Sequence, residues 1–318
     1  MRIPPPGPHG GDGAVLAAAL GVDPGAVLDL SQSLNPFAPD PGEVVGKHLD
    51  VLGRYPDPAP AVAALAAELG IDPDRVVLTN GGAEAIALVA AELGGRVAEP
   101  EFSLHPRGDA AGPLWRSNPH NPSGRLAPAW ATAGVWDEAF YPLATGRWTR
   151  GDGDRGALVV GSLTKVFACP GLRAGYVVAP DGAAARRVVG RQTQWSVNGL
   201  AAAAVPDLLA TADLPGWSSG LARARAELVR LLDCHGLATE PSDAPWVLVR
   251  APGLRGRLAP HGVLVRDCAS FGLPGHARVA VPDGAGLARL ADALDRSGDT
   301  CARQTRPNRH HNAGWDRP

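Results

Sequence analysis

Short apolar runs alternate with alanine-rich stretches over the first two-thirds of the chain. The runs are VVLT at 76–79, RVAEP at 96–100, LWRSN ending at 118, GVWDEA ending at 139, ALVVGSLT ending at 164 and GYVVAP ending at 180. APAVAALAAEL at 59–69 and AIALVAAELG at 85–94 lie among them and have helical composition. Strands covered on both faces read as continuous apolar runs rather than as alternating ones. The pattern therefore predicts an α/β fold with a mostly parallel central sheet flanked by helices.

After about residue 213 the texture changes. SSGLARARAELVRLLDCHG is amphipathic at helical spacing and stops at Gly236, a residue suited to a helix end. WVLVRA, GVLVRD and HARVAVP follow as strand-like runs, and AGLARLADALDRSG as a closing helix. This predicts a smaller C-terminal α+β domain. The expected division is an N-terminal arm at 1–35, a large domain at 36–212, a small domain at 213–298 and a disordered tail at 299–318. The tail is assigned from its polar, aperiodic composition.

Charge and cysteine usage narrow the function. The net charge of −2 over 318 residues gives no basic footprint for nucleic acid. No apolar run reaches membrane-span length, and MRIPPPGPHGGDG lacks the apolar stretch of a secretory signal. A cytoplasmic protein without a membrane partner is expected. The four cysteines are widely spaced with no CxxC pair, and His310 and His311 have no partner cluster, so no metal site is expected.

One imbalance changes the picture: the chain has two lysines against 28 arginines. One of the two, Lys165, stands among apolar and small residues in GSLTKVFACPGLRAGY. Desolvation and the nearby Arg173 would both favour its neutral amine, the form that attacks a carbonyl. Arginine cannot substitute there, because its guanidinium stays protonated.

Three further polar clusters fall at strand ends, where α/β sheets bind ligands. In NGGAE, Asn80 to Glu84, two glycines and a helix start suit a phosphate. In SNPHNPSG, Ser117 to Gly124, two Asn-Pro pairs make a stiff loop that can aim Asn121. In WDEAFYP, Asp137 ends an apolar strand and needs a cationic or hydrogen-bonding partner. Each cluster alone is equally an ordinary turn or helix cap. Together they describe a ligand with a phosphate, a ring nitrogen, a phenolic oxygen and an aldehyde, which is pyridoxal 5′-phosphate.

The ordered set NGGAE, NPHNPSG, DEAF, SLTK and GLRAGY resembles the fold-type-I pyridoxal-phosphate enzymes of the class I/II aminotransferase superfamily, from about Ser31 to Leu294. Within it the chain is most similar to the branch of histidinol-phosphate aminotransferase and threonine-phosphate decarboxylase. RYPDP at 54–58 belongs to both. HGGD at 9–12, SQSLNPFAP at 31–39, Phe140 and VRDCASFGLPGHARVAV at 265–281 favour the decarboxylase.

The resemblance implies a role for each matching residue. Lys165 would bond the cofactor aldehyde and shuttle protons. Asp137 would keep the ring nitrogen protonated, with His105 behind it. Asn121 would bond the ring oxygen, and Phe102 would stack on the ring. Gly82, Ala83, Ser162 and Arg173 would hold the phosphate. Tyr55 would reach the phosphate of a neighbouring subunit, which implies a homodimer. Arg278 would grip the substrate carboxylate, and His9, Ser33, Asn35 and Arg266 would approach a phosphate on the substrate itself.

Two departures accompany the likeness. Phe140 and then Tyr141 stand where aminotransferases of this type place a tyrosine three residues after the aspartate. The segment Pro106 to Ser117 is far shorter than the family norm, so a large domain shortened by a deletion is expected. The implied activity is decarboxylation of L-threonine O-3-phosphate in cobalamin biosynthesis. The alternatives are an aminotransferase related to the histidinol-phosphate enzyme, and a degenerate cofactor-binding structural or regulatory protein.

Overall fold

The computed structural model describes residues 3–7 and 9–298. The expected disordered tail, 299–318, lies outside the described residues. Among the described residues ten strands run in chain order: β1 Leu28–Leu30, β2 Val76–Thr79, β3 Arg96–Val97, β4 Leu114–Ser117, β5 Val135–Asp137, β6 Leu158–Ser162, β7 Gly175–Val178, β8 Trp246–Arg250, β9 Val263–Asp267 and β10 His276–Ala280. They form a six-stranded sheet in the order β2-β7-β6-β5-β4-β3 and a four-stranded sheet in the order β1-β9-β10-β8.

In the large sheet β3, β4, β5 and β6 are mutually parallel, and β7 runs antiparallel to both its neighbours. Residues in succession along each strand go to opposite faces. Val76, Leu78, Trp136, Val159, Tyr176 and Val178 pack on one face, against the helices Ala59–Leu69 and Gly199–Ala210. Val77, Trp115, Val135, Leu158, Val160 and Val177 pack on the other, against the helices Gly81–Leu93 and Gly182–Val189. Both faces are therefore dry. The parallel edges of β4, β5 and β6 end together, which places Ser117, Asp137 and Ser162 along one rim.

The same hydrophobic cluster continues into the small sheet through Val247, Val249, Val263, Val265, Ala277 and Val279, and is covered by the helix Gly284–Arg296. On the opposite face of that sheet, Leu248, Arg266 and Arg278 share register, with Arg278 opposite both of the others.

The N-terminal segment is more ordered than a bare arm. It carries the helix Gly13–Leu20, closed by Gly21, and then β1, which pairs parallel with β9 from Leu28↔Val263 to Leu30↔Val265. Arg255 donates to the Pro4 carbonyl and Arg266 to the Gly7 carbonyl, pinning the residues before it. Among the described residues no helix is long and apolar enough to cross a membrane.

Candidate active site

The rim of the large sheet faces the small sheet across a cavity of about 290 Å³. Its walls include His9, Gly82, Ala83, Phe102, Asn121, Asp137, Ser162, Lys165, Arg173 and Arg278.

One end of the cavity is an anion cradle. Strand β2 runs through Asn80 into the helix Gly81–Leu93, whose first N–H groups lack intrahelical partners. The N–H of Asn80 donates to Glu84 at 2.6 Å, so the helix start is tied down without using Gly82 or Ala83. Gly81 has φ +78°, and a Cβ there would run into the Arg173 guanidinium. Gly175 lets β7 approach this turn, since a Cβ on it would strike the backbone of Gly81 and Gly82. Arg173 itself sits in the left-handed region at φ +60°. Helix N–H groups, the Ser162 hydroxyl and a guanidinium thus converge on one point, which suits a phosphate.

Lys165 lies in the short helix Leu163–Val166, directly after β6. Its Nζ donates to the Gln32 carbonyl at 3.0 Å. Burial, then the Arg278 and Arg173 guanidinium groups, pull its pKa down to about 8. Asn35 braces this turn from behind: its N–H donates to the Lys165 carbonyl and its side chain to the Val166 carbonyl.

Asp137, at the end of β5, accepts from His105 Nε2 at 3.0 Å through one oxygen and from the Ala139 N–H at 3.0 Å through the other. His105 is sealed between Phe102 and Trp115, with ring centroids 5.6 and 5.4 Å away. Phe102 lines the cavity beside it.

Across the cavity, Arg278 Nη1 donates to Asn121 Oδ1 at 2.7 Å and Nη2 to the Ser31 carbonyl at 3.3 Å. Its guanidinium stacks 4.6 Å from the Trp246 ring. Burial brings its pKa down to about 10; the nearby Cys268 opposes the drop and Arg266 adds to it.

The structure brings most of the expected residues together and leaves some out. Tyr55 does not line this cavity; it is 75% exposed and stacks on Trp195 with centroids 4.5 Å apart. Ser33, Asn35 and Arg266, expected near a substrate phosphate, do not line the cavity either. Ser33 is buried, Asn35 is spent on the backbone near Lys165, and Arg266 bonds the Gly7 carbonyl and the Ser270 hydroxyl. His9 does line the cavity, 3.3 Å from the Ser103 hydroxyl. Tyr141 does not stand in for the missing phenol. It is buried near Glu138, and among the described residues no tyrosine lines the cavity. Phe140 does, with its ring edge-on to Trp246 at 4.7 Å. Sequence reasoning also missed Gln32, Trp246 and Glu101. Only Glu101, an acid four residues before His105, carries a visible signal.

The residues fit pyridoxal 5′-phosphate at every point a donor or acceptor is needed. The cradle would hold its phosphate, Asp137 its ring nitrogen, Phe102 its ring face, Asn121 its phenolic oxygen and Lys165 its aldehyde.

Comparison with known proteins gives the class. Residues 105–294 match the model of the family described as aminotransferase class I and II, and the chain belongs to that family. Its members depend on pyridoxal 5′-phosphate, and this chain is such an enzyme. Among curated relatives, the threonine-phosphate decarboxylase of Salmonella typhimurium is 28% identical over 90% of this chain and 95% of its own length. The histidinol-phosphate aminotransferase of Halorubrum lacusprofundi is 27% identical over 88% and 92%. Among solved structures, the histidinol-phosphate aminotransferase of Sinorhizobium meliloti, in complex with pyridoxal-5′-phosphate, matches with a TM-score of 0.76 at 19% identity, over 92% of this chain and 95% of that one. The L-threonine-O-3-phosphate decarboxylase of Porphyromonas gingivalis matches at 0.69 and 22%, over 85% and 99%. The solved structures establish a shared fold.

Proposed function

We propose that this chain decarboxylates L-threonine O-3-phosphate to 1-amino-2-propanol phosphate, a precursor for cobalamin, and that it works as a homodimer. The observation that carries the reaction is Phe140. It presents a hydrocarbon ring to the cavity at the position where aminotransferases of this type carry a phenol. Support for the substrate comes from the threonine-phosphate decarboxylase relative.

When bound, pyridoxal 5′-phosphate supplies an electron sink for a bond broken at the substrate Cα. The protein decides which bond that is. Arg278 holds the substrate carboxylate, and its stacking on Trp246 and its bond to Asn121 fix the plane of the guanidinium. Asp137 holds a proton at the ring nitrogen, and His105 holds Asp137. Loss of CO2 leaves Cα one proton short, and Lys165 delivers it. His9, on the cavity wall, is placed to meet the substrate phosphate. Tyr55, exposed on the outside, reaches the cradle of a second subunit in the dimer.

The test supplies threonine phosphate to the holoenzyme. Release of CO2 without a keto acid supports the reading. A requirement for 2-oxoglutarate with formation of glutamate replaces it with an aminotransferase, the activity named for the histidinol-phosphate relatives. Turnover with neither, despite bound cofactor, overturns both substrate readings.

A further inference from the structure

Glu101 is a charged residue that none of these roles uses, and it is only 2% exposed. A carboxylate is stable in such a place only when its oxygens are well supplied with donors. Three reach it: the Ser117 hydroxyl at 2.6 Å, the Ser117 N–H at 3.0 Å and the Phe102 N–H at 2.8 Å. Each donor belongs to an element that touches the cofactor cavity. Phe102 lines it, and Ser117 ends β4 and begins the loop that carries Asn121.

The fourth neighbour is His105. Its Nδ1 lies 3.8 Å from Glu101 Oε1 and has no hydrogen-bond partner, while its Nε2 bonds Asp137. Ionised Asp137 can only accept, so the proton between them belongs to Nε2. The imidazole therefore stands between two carboxylates in a row that ends at the cavity.

We propose that Glu101 is a positioning residue for the ring-nitrogen side of the site. It holds the imidazole of His105, and through it the carboxylate of Asp137, by anchoring the Phe102 N–H, since the Phe102 carbonyl accepts from the His105 N–H and the Phe102 ring packs on the imidazole. Its bonds to Ser117 hold the Asn121 loop to the same point. This rests on cofactor dependence and not on the reaction proposed above.

The test is Glu101→Gln, which keeps size and shape and removes the charge. In cofactor-free protein, the His105 ring nitrogens are followed by 15N NMR, the signal being assigned by its loss in His105→Gln. Pyridoxal 5′-phosphate is then titrated in by tryptophan fluorescence. The expected result is a moved Nδ1 resonance and cofactor affinity weakened on the order of tenfold, the scale at which partners of a ligating side chain act. An unchanged His105 spectrum with unchanged affinity overturns the proposal. Should Glu101→Gln fail to fold, Glu101→Asp draws the charge away from Nδ1 by one methylene. A His105 spectrum and affinity identical to the parent's in that variant overturn it equally.

Discussion

Arg278, on the small sheet, and Asn121, on the loop beyond the large sheet, meet at 2.7 Å. The bond occupies the Asn121 oxygen and leaves its NH2 group as the part free to donate into the cavity. It also sets the guanidinium before any substrate arrives. Arg278→Lys keeps a cation but loses the planar fork and the stacking on Trp246. Losing one hydrogen bond to a charged group costs about 1.5–3 kcal/mol, roughly 10- to 150-fold. Steady-state kinetics should show that loss mainly in KM for the amino acid.

Lys165 sets a pH dependence with a definite sign. Its pKa is drawn down to about 8 from 10.5, by burial first and then by Arg278 and Arg173. The neutral, nucleophilic amine therefore grows in through that pH. Stopped-flow capture of pyridoxal 5′-phosphate by cofactor-free protein should accelerate about tenfold per unit below the midpoint and level off above it. Arg173→Gln should move the midpoint upward.

Glu138 points the other way. Burial raises its pKa from 4.5 to about 7, Asp152 adds to the rise, and bonds from Thr149 and Arg150 oppose it. Its folded form holds a proton that the unfolded chain has already lost. This contribution to stability is full below pH 4.5 and disappears as pH rises through about 7. Chemical denaturation across that window should show a falling component in the parent that Glu138→Gln lacks.

Gly81 is a position in the phosphate cradle where a methyl group acts in two ways at once. Gly81→Ala would force φ +78° on a residue with a Cβ and press that carbon into Arg173. The left-handed backbone alone costs about 1–2 kcal/mol. Fluorescence titration should give a cofactor dissociation constant raised by roughly tenfold or more, because Arg173 must shift as well.

Much of this site was legible because it lies at strand ends that the sequence marks clearly. VVLT and ALVVG are continuous apolar runs because both faces of β2 and β6 are covered. The polar residue that ends each run falls on the rim. Strand β1, three residues of LDL, was not legible, since only its pairing with β9 makes it a strand. The helix Gly199–Ala210 was missed because its alanines show little amphipathic contrast and it carries Pro206, a residue that reads as a helix breaker. Arg266 and Arg278 illustrate the limit of periodicity. Alternation puts both on one face, but nothing local indicates that Gly7 and Ser270 take the head of Arg266 while that of Arg278 reaches the cavity. Tyr141 was an open alternative for the same reason: one residue's shift along a helix start turns its ring from the cavity into the core.

The pairing of Leu28 with Val263 has a consequence for the order of assembly. A chain leaves the ribosome N-terminus first, and the large sheet, residues 76–178, can close on itself while synthesis continues. The segment before it has no such freedom. Its strand needs β9, and its Ser31 carbonyl needs Arg278 of β10. This segment, made before the large sheet, thus settles only after β9 and β10 have been made. Until it does, the Gln32 carbonyl cannot restrain the amine of Lys165. The cradle's residues, 80–84, 162 and 173, all precede β9 and β10, so a nascent chain would carry its phosphate cradle before it carried a closed pocket.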